Sequence, residues 1–147
     1  MSELLLALET SGLGVAMRGS LWLYPVANIL HVMGAGALLG AVLVTDLRLL
    51  GAAPAIDRTA LLRLTVPIIG VAAALAAVAG FMMFAADARV VGANPFFQAK
   101  LVLLALALAN ALLFMRSETD RGAASAGLAS LMTWIAVIAC GRMIAYW

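Results

Sequence analysis

Residues 21–45 read LWLYPVANILHVMGAGALLGAVLVT, and no Asp, Glu, Lys or Arg interrupts them. The run is longer than the roughly 20 apolar residues that carry a helix across about 30 Å of hydrocarbon. Trp22 and Tyr24 near its start are rings of the kind that settle at a membrane–water boundary. Pro25 follows them in the first turn, where its missing N–H costs nothing. The stretch therefore predicts a first membrane-spanning helix over 21–45, ended by Asp46-Leu47-Arg48.

Working outward, Gly51 to Arg58 collects Gly, Pro and Asp into a polar connection. A second charge-free run predicts a span over 64–86. Residues 87–95 contain Arg89, Gly92, Asn94 and Pro95 and read as a tight outer turn. The next apolar stretch is too short unless the helix begins near Phe96, so the third span covers 96–115 and takes Lys100 into the membrane edge. Arg116-Ser117-Glu118-Thr119-Asp120-Arg121-Gly122 is an aqueous turn, and the fourth span covers 123–147, closing on Tyr146 and Trp147. Toward the N-terminus, residues 2–20 mix Leu4, Leu5 and Leu8 with Glu3, Glu9, Thr10 and Arg18, a pattern suited to a short helix lying in the interface.

Composition agrees with this division. Of 147 residues, 66% are hydrophobic and 11% charged, with a mean hydropathy of +1.13. A soluble core of this size has too little interior for so many apolar side chains, whereas lipid accepts them on every outward face. The fold class expected is all-α, an integral membrane four-helix bundle in one transmembrane domain, and a soluble enzyme is not expected. The N-terminus lacks the basic region and cleavage site of a secretory signal, so the first segment is expected to be retained. The net charge of +2 comes from scattered Arg, so the partner is the lipid bilayer and not nucleic acid. One cysteine leaves no intramolecular disulfide.

Arg48, Arg58, Arg63, Arg116 and Arg121 fall in the first and third connections, against Arg18 and Arg89 on the other side once Lys100 and Arg142 are assigned to helices. The positive-inside rule then puts both termini on the periplasmic side of a bacterial inner membrane.

His31 is the sole histidine and lies about 13 Å down the first span, near the bilayer midplane. Ionisable groups at that depth are costly and mark cofactors, ion paths or hydrogen-bonded pairs. The structural alternative is an imidazole bonded to Asn28 at i−3, or to a hydroxyl or backbone carbonyl of a neighbouring helix. Lys100 lies about 6 Å inside Phe96 and Arg142 about 7 Å inside Trp147, in the same outer half as His31, although long basic chains so placed also snorkel to the headgroups. The combination suits a b-type haem, with His31 on the iron and Lys100, Arg142 or Arg18 on the propionates. The second axial position is left vacant, to Met82, Met83 or Met143, or to His31 of another copy. Gly36 and Gly40 stand in G-x-x-x-G spacing after Gly34, which permits close approach of a helix or a flat ring and makes a homo-oligomer or a larger membrane complex plausible.

A second chemistry is carried by soft ligands. Cys140 and Met143 share a helical face at i, i+3, and Met82, Met83 and Met33 fall at comparable depths, a thioether and thiolate path for copper that would make the chain a copper or small-solute membrane transport protein. Against it stands the ordinary use of Met and Cys as core fillers. A purely structural or assembly subunit is the third alternative. Asp46 opposes the helix dipole and is expected to pair with an Arg such as Arg63, and Asn110 to bond between helices. No carboxylate pair, Ser-His-Asp set or phosphate loop is present in the spans, so hydrolysis and nucleotide chemistry are not expected.

Trp22-Leu23-Tyr24-Pro25, His31 with Gly34 and Gly40, Asp46-Leu47-Arg48-Leu49-Leu50-Gly51, Asn94-Pro95-Phe96-Phe97-Gln98-Ala99-Lys100-Leu101 and Ala109-Asn110 together resemble a family of small bacterial four-helix membrane proteins of unknown function. More distantly, the early His and the Lys that opens the third helix are similar to copper-resistance D membrane proteins and to bacterial four-helix protoporphyrinogen oxidases. In the latter a His and a Lys are associated with haem or porphyrin. That resemblance implies a porphyrin role for His31 and Lys100 alone.

Overall fold

The computed structural model describes residues 2–116 and 122–147, and the described residues form helices and connections without a strand. In chain order these are α1 (Ser2–Thr10), α2 (Gly12–Gly19), α3 (Leu23–Leu49), α4 (Arg58–Ala86), α5 (Ala88–Ala93), α6 (Pro95–Arg116) and α7 (Ala123–Met143), followed by a 3-10 turn at Ile144–Tyr146. The all-α class expected from the hydropathy is therefore found. Four of the helices are long and apolar enough to cross a membrane: Leu23–Leu49, Arg58–Ala86, Pro95–Phe114 and Ala123–Tyr146, of 27, 29, 20 and 24 residues. At 1.5 Å per residue even the 20-residue segment covers about 30 Å.

Several boundaries differ from expectation, each for a local reason. The first long helix does not end at Asp46-Leu47-Arg48 but runs to Leu49 and closes on Gly51, whose φ of 86° suits only glycine well. The N–H of Ala52 bonds the Leu47 carbonyl at 3.0 Å and that of Gly51 bonds the Arg48 carbonyl at 3.1 Å, the double closure of a Schellman end. The second long helix begins at Arg58 and not near residue 64, because the Asp57 carboxylate accepts the Ala60 N–H at 2.8 Å and caps the first turn. Residues 87–95 are not a simple turn, since Ala88–Ala93 is helical. The N-terminal stretch is two helices and not one: Ser11 separates them, its hydroxyl accepting the Gly14 N–H at 3.3 Å as N-cap of α2. The expected aqueous turn at 117–121 lies outside the described residues.

The chain packs into two compact units, Met1–Leu38 with Ile68–Asn94, and Leu39–Pro67 with Pro95–Trp147. In the first, the core is Met17, Ala27 and Ala86, with Leu13, Met82 and Met83 against it. Helix α2 approaches α4 through Gly14, where a Cβ would stand 2.7 Å from the Ala85 carbonyl oxygen. Arg18 ties the same helices together, donating to the carbonyls of Ala86 at 2.6 Å and Glu9 at 2.8 Å. Helix α1 is joined to α5 by Glu9, whose carboxylate accepts from the Arg89 backbone N–H at 3.0 Å and its guanidinium at 3.3 Å.

In the second unit α6 packs along α7, with Asn110 donating to the Ala126 carbonyl at 3.1 Å as expected of an interhelical amide. Gly127 lets α7 close on the end of α3: a Cβ there would lie 3.2 Å from the Asp46 carbonyl oxygen. Thr45 donates to the hydroxyl of Thr65 at 3.1 Å, linking α3 to α4. Arg48 donates to the Ile56 carbonyl at 2.6 Å and so folds the connection back on α3.

Candidate functional site

The face of α3 turned to α4 is written at helical spacing by Ala27, His31, Gly34 and Leu38. Ala27 is 2% exposed and Leu38 8%, so the stripe is the packed side of the helix. Opposite it α4 presents small residues, Ala72, Ala76 and Gly80, again at i, i+4. The backbones meet at Gly34, where a Cβ would lie 2.8 Å from the Ala76 nitrogen and 2.9 Å from the Ala72 carbonyl oxygen. One turn toward the N-terminus the gap is filled by the imidazole of His31, which fits because Gly80 has no side chain. A Cβ on Gly80 would stand 3.0 Å from both Cε1 and Nδ1 of the ring.

Nδ1 of His31 lies 2.7 Å from the Ala76 carbonyl oxygen. A carbonyl only accepts, so Nδ1 carries the proton and donates it, and in the neutral ring Nε2 keeps the lone pair. This is the arrangement by which a second hydrogen bond orients a histidine that ligates a metal through its other nitrogen. Of the alternatives read from the sequence, the bond goes to a backbone carbonyl of a neighbouring helix. Asn28 has a different partner, donating to Sδ of Met83 at 3.6 Å.

The other expected site residues are placed as follows. Arg18 is in the first unit, held on the carbonyls of Ala86 and Glu9 beside an open cleft of about 490 Å³ lined by Met17, Ser20, Tyr24 and Asp87. Met82 and Met83 pack against Met17 in the same unit. Lys100, Cys140, Arg142 and Met143 belong to the second. There Nζ of Lys100 occupies the space left by Gly141, 3.3 Å from where a Cβ would be, and lies beside Cys140. Arg142 donates to the Tyr146 hydroxyl at 2.5 Å, and Phe96 meets Trp147 edge to face at 5.6 Å. Met33 is exposed on the outside of α3, and Gly36 and Gly40 face open space.

Among the described residues no group of three or more His, Cys, Asp or Glu side chains gathers as a metal cage. A haem asks for less, since the porphyrin supplies four ligands and the protein one or two. His31 offers one nitrogen lone pair of that kind.

Asp46 departs from expectation. It forms no ion pair with Arg63 or any other described residue; its side-chain partner is the hydroxyl of Ser130 on α7. Sequence reasoning also missed Ala76 and Gly80, which show no signal beyond being small residues in an apolar helix.

No family model, no curated protein and no solved structure matches this chain.

Proposed function

We propose that this chain is a multi-pass protein of a bacterial inner membrane that binds b-type haem through Nε2 of His31 and serves electron transfer or redox handling. The observation that carries the reading is the 2.7 Å bond from Nδ1 to the Ala76 carbonyl, which holds the ring in the tautomer with Nε2 free. Bound there, haem supplies a one-electron couple tuned by its axial ligand and surroundings. The part of the chain is to fix the ring: α3 carries it, Ala76 orients it and Gly80 makes room for it.

Membrane insertion is supported by how little the long helices cover one another. Leu64, Val71, Val78 and Leu113 are 62–72% exposed, an apolar surface that lipid would solvate without cost. Arg48, Arg58 and Arg63 favour the cytoplasm for the connection between α3 and α4.

The test is a visible spectrum of detergent-purified protein, oxidised and dithionite-reduced, beside His31→Gln and His31→Ala. The amide of Gln still offers a donor to the Ala76 carbonyl but is a poor haem ligand. A Soret peak with reduced α and β bands, lost in both variants while His31→Gln keeps the helical circular dichroism of the parent, is the expected result. Colourless parent protein overturns the haem reading. His31 is then a pin between two helices, and elemental analysis for copper decides whether the sulfur-rich alternative takes its place.

A further inference from the structure

Asp46 lies one turn from the end of α3, is 5% exposed, and has its Oδ2 buried without a hydrogen-bond partner. Among the described residues no ion pair balances a negative charge there. On its own helix Arg48 is engaged by the carbonyls of Ile56 and Pro54. On α4, Arg58 stacks over the ring of Phe114 at 4.5 Å, and Arg63 lines an open cleft with Thr59 and Pro67; neither forms an ion pair with Asp46. From α7 comes the Ser130 hydroxyl, and the only charged residue of that helix is Arg142, near its other end. The C-terminal end of the α3 dipole adds partial negative charge at the same place. An ionised carboxylate so enclosed has one hydroxyl in place of the solvent it lost, and such a group neutralises rather than stay charged.

We propose that Asp46 is a proton-binding site: its buried carboxyl takes up a proton from water on the side of the Gly51–Asp57 connection and releases it there. The Ser130 hydroxyl donates to one oxygen, and the proton occupies the other. Close packing at Gly127 and the Thr45–Thr65 bond hold the pocket shut around a neutral group. The site is independent of His31 and stands whether or not haem is bound.

The test uses the full chain in lipid nanodiscs, with Asp57→Asn, Asp87→Asn and Asp120→Asn combined so that Asp46 is the remaining aspartate, and with carbon-13 aspartate incorporated. Infrared difference spectra across a pH titration should show a protonated-acid carbonyl stretch at mildly acidic pH, where a solvated aspartate is ionised, that shifts with the isotope and disappears as the pH is raised. Peptide mapping after treatment with dicyclohexylcarbodiimide, which modifies protonated carboxyls in apolar surroundings, should find Asp46 labelled, with labelling lost over the same pH range. A carboxylate band alone at that mildly acidic pH overturns the proposal. So does labelling that sodium suppresses at constant pH, which would make Asp46 a ligand for a monovalent cation.

Discussion

A Cβ on Gly80 would come within 3.0 Å of both Cε1 and Nδ1 of His31, so the absent side chain of one helix is the seat of the imidazole of another. The ring and the 2.7 Å bond to Ala76 depend on this vacancy as much as on the histidine.

Gly80→Ala should therefore tilt the ring away from the Ala76 carbonyl. The expected cost is about 1–3 kcal/mol, the usual penalty for an added methyl in a filled space. Gly70→Ala on the same helix, with nothing within 4 Å, should be neutral or stabilise by up to about 1 kcal/mol. Unfolding in mixed detergent followed by circular dichroism separates the two, and a haem-loaded preparation should show a shifted Soret band in Gly80→Ala only.

The glycines of α3 divide in the same way. At Gly34 a Cβ would press on the backbone of Ala72 and Ala76, which cannot yield as a side chain can, and Gly34→Ala should destabilise by about 1–3 kcal/mol. Gly36→Ala and Gly40→Ala should stay within about 0.5 kcal/mol of the parent, despite their G-x-x-x-G spacing. A change in oligomeric state on size-exclusion chromatography in Gly36→Ala would mean that the open face is used by a second molecule.

Acid should loosen the N-terminal helices. The backbone N–H of Arg89 and its guanidinium hold the Glu9 carboxyl below the usual carboxylate range. A lowered folded value means that the contact contributes fully above the ordinary glutamate range and is lost as pH falls through the lowered value. Hydrogen exchange of residues 2–19 should show protection that fades in that acid window in the parent. In Glu9→Gln the protection should be weaker at neutral pH and no longer follow this titration.

Asn110→Ala should cost about 1 kcal/mol by removing the bond from α6 to the Ala126 carbonyl. Asn110→Leu should cost no more, because the Ala126 carbonyl keeps its place in the α7 ladder. The same mixed-detergent unfolding measures both.

Where the expectations failed is instructive. Arg58 and Arg63 suggested loop, but a helix start is set by its cap, and Asp57 supplies one. Asp46 and Arg48 suggested a helix end, but Gly51, with its positive φ, is the residue that stops α3. Polar residues within a turn of a boundary do not by themselves break a helix, which carries them freely where a neighbouring helix or the aqueous edge receives them. Asn110 was legible because a lone amide in an apolar helix has few options other than a neighbouring backbone.

The sequence by itself determined that the described chain is helical and that four of its helices are long and apolar, since both follow from local composition and run length. The tertiary structure alone decided which face of each helix meets a neighbour. That choice put Gly34 and Gly80 to use and left Gly36 and Gly40 open, gave Asp46 to Ser130 instead of Arg63, and turned Nδ1 of His31 to Ala76. The physical reason lies in helices that are apolar all the way round: with no polar stripe to mark an outer side, rotation about the helix axis is settled by the fit of small and large side chains across the gap, which a single helix does not record.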